Sequence, residues 1–549
     1  MKKMILILTL VSMISFLSAD WAWVRDLDAT DMVRVWDLTV SYDYDAVRAA
    51  GQFTGTMHFN GEEYPGKGEP DAFVAKYSLE GEELWFRSFG SPEEDVCFSV
   101  AAGYGAQGNT YFTGYFNGTM QEDDIELESA GLWDVFYGKL DTNGNLLWLK
   151  RFGGVLNDIG YGIAVDFTDH FVITGWFADS IDFGNGIHLQ SYGGSDMFVA
   201  RFDPDGNCLW ARHGGDIGVD YGFKVDVDAQ GNAYCTGSAG AGAFFDGLTQ
   251  VYGGMYLAIY DTNGNILDHI SAQHANPINI GVSKSMNENP CAILTGRVTG
   301  SAIFGGETYN SYEDSDDIFI AKYTLGSGAW DEVQIIGQAG SDKGRAAYAH
   351  ELYGCAVAAS FEDSFWYQGL MAQSLGSWDC AIIREDKKDP LTYFGSYNTD
   401  VISALVRQHE SWEFSGGWYS GLMQMGDLSL DSGSDAKQNG FVAGYWFDQM
   451  SVEDAVTPYE QGIYNYPNPF VKSTTICVKS PKPGAGEVSI YNLKGQKIKE
   501  LEEGVKTAEG LQWQWDGKDA NGKPLAAGIY FLRLKTADSV QNHKILLVK

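Results

Sequence analysis

The sequence contains few of the residue patterns that mark enzymes and zinc proteins. Its nine histidines are scattered, and the closest pair, His269 and His274, lacks the spacing of a His-Glu-x-x-His motif. It contains no Gly-x-Ser-x-Gly elbow and no glycine-rich loop leading from a strand into a helix. We therefore expect no enzymatic activity and no cofactor, with calcium as the one open question. A polysaccharide-active hydrolase or lyase is the alternative, because some pair among 73 acidic residues will always match the spacing that a glycosidase needs.

Cysteines are few and irregularly placed. The seven of them include no Cys-x-x-Cys pair, and their odd number excludes a framework in which every cysteine is disulfide-bonded. Cys355 and Cys380 fall on neighbouring strands of one repeat and are the one pair expected to come close. The interpretation we favour is a set of isolated buried thiols.

Long hydrophobic runs and positive charge are also scarce. The apolar run from Met4 to Leu17 follows Lys2-Lys3 and precedes Ser18-Ala19, which predicts a secretory signal peptide over residues 1–19. No other run is long enough to cross a membrane. The formal net charge of −36 repels phosphate backbones and anionic lipid. We expect no nucleic-acid binding and no membrane insertion, and we expect a monomer.

What the sequence has in abundance is glycine, 67 residues against 13 prolines, which indicates many short turns. Three anchors repeat seven times at intervals of 57 to 64 residues. The first opens an Asp-x-Phe strand, at Asp71, Asp134, Asp196, Gly254, Asp317, Asp379 and Asn439. The second is a Thr-Gly-x-Phe strand end, at Gly51, Gly114, Gly175, Gly237, Gly296, Ala359 and Gly416. The third is an acidic residue before an apolar strand, at Asp31, Asp95, Asp158, Asp220, Asp342 and Asp400, with the Asn279 region filling the gap.

Each period holds four strands, which predicts an all-β, seven-bladed β-propeller with four-stranded blades of about 60 residues over residues 20–450. The seventh copy ends at Phe447 without a Leu-Trp strand. The N-terminus supplies one, because Trp21 precedes Asp31 by the same 10 residues that separate Trp85 from Asp95. The N-terminal strand is therefore expected to close the last blade. The tryptophans Trp85, Trp148, Trp210 and Trp330 are expected to pack between blades.

Residues 451–463 are polar and form the predicted linker. Residues 464–549 carry short alternating strands separated by turns, which predicts a small Ig-like β-sandwich. The motifs include Tyr466-Pro-Asn-Pro-Phe470, Trp515-Asp-Gly517 and the terminal Lys544-Ile-Leu-Leu-Val-Lys549.

These motifs, in this order, resemble the type A C-terminal sorting domain of the type IX secretion system. The resemblance implies a Gram-negative bacterium of the Bacteroidota or a related phylum. It also implies the type IX machinery as a partner through residues 464–549, followed by release or surface attachment. The repeats over residues 21–449 resemble the SBBP-type propeller repeats of bacterial surface proteins, which implies a fold rather than an activity.

Three turns of the repeat are candidate calcium loops. Each has the form Asp-x-Asn/Asp-Gly-Asn, in which oxygen-bearing side chains recur at alternate positions, as in calcium-binding loops. The candidate ligands are Asp141, Asn143, Asn145, Asp203, Asp205, Asn207, Asp261, Asn263 and Asn265. No bidentate glutamate follows at position 12. The favoured interpretation is therefore that these residues shape the turn itself.

Aromatic residues make up 14% of the chain. Tyr115, Trp176 and Trp418 stand at variable positions at or near the Thr-Gly strand end. Core packing is the favoured role for them, and stacking on sugar rings is the alternative. We expect a secreted or outer-membrane-surface protein that binds a glycan or a protein through one face of the propeller, as an adhesin or a scaffold.

Overall fold

The computed structural model describes most of the chain from residue 20 onward. The described residues are 20–40, 46–104, 108–245, 247–250, 253–284, 290–350, 354–385, 389–408, 412–447, 462–466, 472–479, 487–492, 496–501, 505–507, 510–526, 528–535 and 540–547. The predicted signal peptide and residues 451–461 of the predicted linker lie outside them. No helix among the described residues is long and apolar enough to cross a membrane.

Most of the described residues are β-strand, and those between residues 20 and 447 form seven four-stranded blades, as predicted. Blade 1 comprises β2 (Met32–Val40), β3 (Ala46–Thr54), β6 (Asp71–Ser78) and β7 (Glu83–Phe89). Blade 2 comprises β8 (Val96–Ala102), β9 (Thr110–Glu122), β10 (Ile125–Leu140) and β11 (Leu146–Phe152). Blade 3 comprises β12 (Asp158–Val165), β13 (Phe171–Asp182), β14 (His188–Phe202) and β15 (Cys208–Gly215).

Blade 4 comprises β16 (Tyr221–Val227), β17 (Ala233–Ala239), β20 (Gly254–Tyr260) and the first half of β21 (Ile266–Val282). Blade 5 takes the second half of β21, β22 (Cys291–Phe304), β24 (Asp316–Thr324) and β25 (Glu332–Ile336), with a 3-10 turn at Tyr312–Asp314. Blade 6 comprises β26 (Lys343–His350), β27 (Gly354–Phe361), β30 (Asp379–Arg384) and β31 (Leu391–Phe394). Blade 7 comprises β32 (Val401–Arg407), β33 (Trp412–Ser420), β36 (Gln438–Trp446) and the N-terminal strand β1 (Asp20–Ala29).

The inner strands close a ring. In order, β2, β8, β12, β16, β21, β26 and β32 each contact the next, and β32 contacts β2 again. The N-terminal strand closes the last blade as predicted, because β1 pairs antiparallel with β36. The residue of β1 that matches Trp85 is Trp23, opposite Gly444, rather than Trp21. Trp21 instead packs edge-on against Phe394 of blade 6 and Tyr445.

Strand register corrects three of the predicted anchor positions. In blade 7, Gly417 lies opposite Phe441, so the Thr-Gly anchor is Gly417 and not Gly416. The residue equivalent to Asp95 is Val33 in blade 1, where Asp31 was expected, and Ala275 in blade 5, where the Asn279 region was expected. The predicted spacing of 10 residues between tryptophan and anchor was right. The blade 1 anchor was nevertheless placed two residues early, because Trp21 was taken for Trp23 and the exposed Asp31 for the anchor residue.

Between the second and third strands, every blade also carries a β-hairpin that the repeat count missed. Separate hairpin strands are β4 (Thr56–Phe59), β5 (Glu62–Pro65), β18 (Phe244–Phe245), β19 (Leu248–Thr249), β23 (Glu307–Asn310), β28 (Ser364–Tyr367), β29 (Leu370–Gln373), β34 (Leu422–Met425) and β35 (Leu428–Asp431). In blades 2 and 3 the long strands β9, β10, β13 and β14 extend to form it. Several hairpins pair with the outer strand of the preceding blade; for example, Phe245 lies opposite Gly214. The hairpins therefore tie neighbouring blades together.

At the other end of the propeller, the tryptophans of the outer strands connect one blade to the next. The indole Nε1 of Trp85 donates to the carbonyl of Thr142, in the next blade, at 3.0 Å, and Trp210 donates to Thr262 in the same way. This packing between blades confirms the expectation for Trp85 and Trp210. Trp330 differs, because it lies outside β25 and packs against Phe304 and Tyr323 of its own blade.

The C-terminal unit is a sandwich of two four-stranded sheets. One sheet orders β37 (Gly462–Tyr466), β38 (Thr474–Lys479), β42 (Gly510–Trp515) and β41 (Val505–Thr507); the other orders β40 (Lys497–Leu501), β39 (Glu487–Asn492), β43 (Gly528–Lys535) and β44 (Val540–Leu547). Ile476 and Trp515 of one sheet share a core with Ile490, Leu532 and Ile545 of the other. Alternation of apolar residues along short strands is what produces this two-layer packing.

The six cysteines whose side chains are described are free thiols, and all but Cys291 are buried. Cys355 and Cys380 lie on paired strands but not in the same register position, because Cys380 is opposite Ser360. Both are therefore isolated thiols, which was the favoured interpretation.

Candidate functional site: an aromatic and cationic mouth on the propeller axis

Every inner strand carries a β-bulge at the same position. The register shifts by one residue there, and the extra residues are Trp36, Phe98, Tyr161, Phe223, Ile278, Arg345 and Ser403. A bulge re-aims the side chain of its extra residue away from the regular alternation of the strand. Because inner strands surround the axis, the seven bulge residues, here named the bulge ring, are brought together although they come from seven different blades.

Four consecutive members of the bulge ring are aromatic and touch in sequence. Ring centroids are 5.6 Å apart for Trp36 and Phe98, 4.8 Å for Phe98 and Tyr161, and 6.0 Å for Tyr161 and Phe223. All four side chains are partly exposed. These residues, the aromatic arc, form a partly open platform of tilted and edge-on rings on blades 1 to 4.

The aromatic residues singled out from the sequence lie directly behind this arc. Tyr115, Trp176 and Trp418 share one register position, the x of Thr-Gly-x-Phe. Tyr115 and Trp418 are buried and contact Phe98 and Trp36 at 5.7 and 4.9 Å. Trp176 is partly exposed. Core packing was the right expectation for Tyr115 and Trp418, and the exposed platform is formed mainly by the bulge residues, which sequence reasoning missed.

One layer further along the axis, an ion pair spans the ring. Lys224 Nζ of blade 4 lies 2.6 Å from Asp37 Oδ2 of blade 1, and Ser99 Oγ donates to the same oxygen at 2.5 Å. Lys224 Nζ also donates to Ser99 Oγ at 3.1 Å. Three blades thus meet at one buried polar cluster, which forms a floor beneath the aromatic arc.

The remaining part of the mouth, on blades 5 and 6, is cationic. Lys343 and Arg345 both lie over the ring of Trp378, at 4.4 and 5.2 Å. Arg297 occupies the register position of Tyr115 and Trp176 and donates to Asp316 Oδ2 at 2.9 Å. Lys343 Nζ lies 3.4 Å from the same carboxylate oxygen. Asp316 therefore serves two of the three cations, while Arg345 forms no ion pair within the described residues.

The loops around the mouth expose apolar side chains. In the connections between blades, Ile217 is 89% exposed and Tyr397 is 83% exposed. Val155, Leu156 and Val219 in equivalent loops are exposed as well. Exposed apolar residues clustered at one end of a fold mark contact surfaces more often than scattered ones do. This end of the propeller is therefore the candidate contact surface.

The candidate calcium loops lie at the opposite end, in the turns between third and fourth strands. The Asp141 carboxylate accepts hydrogen bonds from the backbone N–H of Asn143 and Asn145 at 2.8 and 2.9 Å, and from Asn145 Nδ2 at 2.8 Å. Burial raises the pKa of Asp141, but these hydrogen bonds lower it more, so the pKa lies below its usual value. The loops at Asp203 and Asp261 repeat this geometry, with Asn207 and Asn265 as donors.

The geometry of these loops is that of hydrogen-bonded turns that receive a tryptophan from the preceding blade. Calcium binding by Asp141, Asp203 and Asp261 stays a prediction. Among the side chains that the structure describes, no group of three or more His, Cys, Asp and Glu residues is placed to hold a metal ion.

Buried carboxyl pairs recur at five junctions between blades, at the end that carries the mouth. The pairs are Asp71–Asp95, Asp134–Asp158, Asp196–Asp220, Asp317–Asp342 and Asp379–Asp400, and every side chain is at most 2% exposed. Burial, reinforced by Asp134, raises the pKa of Asp158 to about 8, and burial, reinforced by Asp317, raises that of Asp342 to about 8. Because these carboxyls are inaccessible, they cannot reach a sugar as a pair of catalytic groups.

A family model matches part of the C-terminal unit. Residues 472–539 match the model of the FlgD Ig-like domain, which agrees with the sandwich. An uncharacterized WD repeat-containing protein L264 of Acanthamoeba polyphaga mimivirus is 22% identical over 200 residues, 31% of this chain and 14% of that protein. The regulatory protein FlaEY of Caulobacter vibrioides is 26% identical over 296 residues, 48% of this chain and 29% of that protein. The chain thus spans less than a third of the length of these relatives.

Similarity to solved structures is weak. An apocarotenoid oxygenase of Synechocystis aligns over 78% of this chain and 96% of its own, with 11% identity and a TM-score of 0.36. PorZ, a surface component of the type IX secretion system of Porphyromonas gingivalis, aligns over 96% of this chain and 100% of its own, with 11% identity and a TM-score of 0.14. At TM-scores this low the alignments establish neither a shared fold nor a shared function.

Proposed function

We propose that this protein is a non-enzymatic binding module that takes its ligand, a glycan, at the mouth on the propeller axis. The observation that carries the proposal is the aromatic arc, in which Trp36, Phe98, Tyr161 and Phe223 leave part of their rings open. Aromatic rings placed side by side offer large apolar contact area with fixed geometry, which suits the flat faces of sugar rings. The exposed apolar loops around the mouth enlarge the contact surface.

A binding role agrees with the architecture better than catalysis does. The charged groups of the floor, Asp37 and Lys224, pair with each other and with Ser99, so they neutralise each other rather than await a substrate. The carboxyl pairs are buried at the blade junctions. A polysaccharide-active hydrolase or lyase remains the second candidate function, and it predicts soluble products where a binding module predicts none.

We further propose that residues 464–549 act as a type A sorting domain that directs the protein through the type IX secretion machinery to the surface or the medium. The support is the set of C-terminal motifs, together with the Ig-like sandwich of that segment. The SBBP-type assignment of the repeats is part of the same proposal. Deleting residues 464–549 should leave the protein in the periplasm of its host, and unchanged delivery to the surface would contradict the export proposal.

The binding proposal is tested by depletion from solution. The purified protein is incubated with insoluble cellulose, chitin, xylan, pectin and host matrix proteins, with and without calcium, and both bound protein and released sugar are measured. We expect depletion by at least one polysaccharide without released products. Depletion by matrix proteins alone would mean that the ligand is a protein and not a glycan. Released sugar would mean that the protein is an enzyme.

Matched variants locate the site. Tyr161→Ala removes a ring of the arc, whereas Trp366→Ala removes a ring that is 54% exposed on the hairpin of blade 6, outside the mouth. We expect Tyr161→Ala to weaken binding about tenfold or more, by loss of a central aromatic contact, and Trp366→Ala to leave it unchanged. Equal effects of the two substitutions on binding would mean that the ligand does not bind at the mouth on the axis. Thermal unfolding of both variants controls for folding.

A further inference from the structure

The mouth divides into two chemically different halves. Blades 1 to 4 contribute the aromatic arc, and blades 5 and 6 contribute Arg297, Lys343 and Arg345. Arg345 occupies the same bulge position as the four aromatic residues, so it faces the arc across the axis. The division follows from sequence differences at equivalent positions of the repeat, where aromatic residues in some blades are replaced by basic ones in others.

The cationic half lacks sufficient negative charge of its own. Of its three cations, Arg297 and Lys343 both contact the carboxylate of Asp316. Arg345 Nε is buried and has no hydrogen-bond acceptor within the part of the chain that the structure describes, and the guanidinium rests on Trp378. Burial lowers the pKa of Arg345 to about 10, so the group is still cationic at neutral pH. Arg345 is thus a partly buried cation without an ion pair among the described residues. Such an arrangement is costly, and such costs are concentrated at binding sites.

The cations stand out against the rest of the molecule. With a net charge of −36, the protein surface as a whole repels anions, so a compact group of three cations at the mouth is a local exception. An acidic group, Glu94, lies near the aromatic half. Burial raises the pKa of Tyr115, and the nearby Glu94 raises it further. Arg34 of blade 1 also lies over a ring behind the arc, Trp418, at 5.4 Å, and donates to Gln438 Oε1. The positive charge is therefore concentrated on blades 5 and 6, where three cations lie together, and a ligand that spans the mouth meets mainly rings on one side and this group of cations on the other.

We propose that the ligand of the mouth is an anionic saccharide, with a sugar ring against the aromatic arc and its carboxylate or sulfate against Arg345, Lys343 and Arg297. The proposal rests on the proposed glycan-binding function and adds the charge of the ligand. A guanidinium fits a planar carboxylate through two parallel hydrogen bonds and binds a sulfate oxygen pair in the same manner. Because the Arg345 side chain is partly exposed, the anion can reach its guanidinium and supply the negative partner that no described carboxylate provides.

The test compares ligands that differ in charge alone. Binding of a galacturonic-acid oligosaccharide and of its methyl-esterified, uncharged counterpart to the full chain is measured by calorimetry in about 150 mM salt. A sulfated galactan oligosaccharide and its desulfated form provide the second arm. We expect one acidic ligand to bind about tenfold or more tightly than its neutral form, since a hydrogen bond to a charged group contributes that much. The arm that shows the difference identifies carboxylate or sulfate as the anion.

Arg345→Met is expected to reduce the affinity for the acid to that for the neutral form and to leave the neutral form unaffected. This coupling between side chain and ligand charge isolates the contact. Arg87→Met is the matched control. Arg87 carries the same charge but lies on the outer strand of blade 1, where it pairs with Asp123 of the blade 2 hairpin. It should change neither affinity.

Two outcomes would overturn the inference while leaving the proposed function intact. One is equal binding of acidic and neutral forms, both lost in Tyr161→Ala. The other is an Arg345→Met variant that weakens both forms equally. Absence of binding by all four oligosaccharides would also reject the anionic ligand, and the proposed function would then be decided by the depletion assay.

Discussion

The seven junctions between blades are of two kinds, and the difference explains the acidic anchor of the repeat. At five junctions the chain passes from one blade to the next through loops at residues 90–95, 153–157, 216–220, 337–342 and 395–400. In blade 4 the chain passes without a loop, since β21 runs from Ile266 to Val282 as the outer strand of one blade and the inner strand of the next. Between blades 7 and 1, two residues separate β1 from β2.

The acidic residue belongs to the loop. Asp95 Oδ2 accepts hydrogen bonds from the backbone N–H and hydroxyl of Ser91 at 2.5 and 2.8 Å, and Asp158 accepts one from the N–H of Gly154 at 2.6 Å. Each carboxyl thus caps an N–H four residues earlier that would otherwise be buried without an acceptor. Where the connection is a continuous strand or a two-residue turn, no such N–H exists, and Ala275 and Val33 stand in place of the acid.

The second carboxyl and a glycine are present at the same five junctions. Both Asp196 Oδ1 and Asp220 Oδ2 lie within 3 Å of the position that a Cβ on Gly215 would take, at 2.7 and 2.8 Å. Asp134 Oδ1 and Asp158 Oδ1 are buried and have no hydrogen-bond partner among the residues that the structure describes. Asp134 Oδ2 accepts from Arg151 at 2.8 Å, whereas burial raises the pKa of Asp158 to about 8, so Asp158 is the member of this pair that holds a proton at neutral pH.

The largest expected effect concerns the junction between blades 7 and 1, which has a two-residue turn in place of a capped loop. Its outer strand, β1, joins blade 7 by pairing with β36 and not through a chain connection. Trp23 Nε1 donates to the carbonyl of Leu79 of blade 1 at 2.7 Å, and the ring covers Gly81. We expect Trp23→Ala to lower the free energy of unfolding by about 3–5 kcal/mol. The equivalent Trp85→Ala should cost less, because its junction is also held by a capped loop. Urea unfolding of the two variants measures this, and a larger loss for Trp85→Ala would break the comparison.

The carboxyl pairs predict a pH dependence of stability. Burial raises the pKa of Asp158 to about 8 and that of Asp400 to about 7, above the value near 4 expected in the unfolded chain. A raised pKa means that the folded state binds the proton more tightly, so the contribution is complete below pH 4 and is lost as the pH rises toward 8. The unfolding free energy should therefore fall between pH 5 and pH 9.

Asp158→Asn replaces one titrating group by a neutral isostere that still accepts the N–H of Gly154. Between pH 5 and pH 9 the variant should gain about 2–4 kcal/mol relative to the unmodified protein. Asp31→Asn, an exposed residue at the two-residue turn, is the control and should leave the pH profile unchanged. Parallel profiles for the unmodified protein and Asp158→Asn would argue against a proton held on Asp158 in the folded state.

The smallest effect separates two residues that the sequence repeat placed at equivalent positions. Asp95→Ala leaves the Ser91 N–H and hydroxyl buried without an acceptor and should cost about 1–3 kcal/mol at pH 6. Asp31→Ala removes an exposed carboxyl and should change the unfolding free energy by less than about 0.5 kcal/mol. Similar costs at both positions would mean that the acid is not a loop cap.

The fold was largely readable from the sequence because the repeat is written in local patterns. Strand alternation, Asn-Gly turns and the Asp-x-Phe anchor act within a few residues, so each copy reports its own four strands. The hairpins escaped notice because their strands are short, only two residues each in β18 and β19, and lack the anchor residues. The two-residue shift at Trp23 arose because a second tryptophan and a nearby acid imitated the pattern.

The mouth was not readable in the same way. Trp36, Phe98, Tyr161 and Phe223 are about 60 residues apart, and nothing local distinguishes them from other aromatic residues in strands. Their role depends on a bulge, which becomes visible only in the pairing register. The cations of blades 5 and 6 are likewise ordinary basic residues until the ring places them opposite the arc.

The amino-acid sequence alone therefore determined the number of repeats, the four strands of each and the closure of the last blade by the N-terminal strand, because each depends on local propensity and spacing. Tertiary structure alone decided which side chains share the axis and which carboxyls share a junction. Closing a ring brings equivalent positions from distant repeats to one place, and the differences between those repeats then set the chemistry of the mouth.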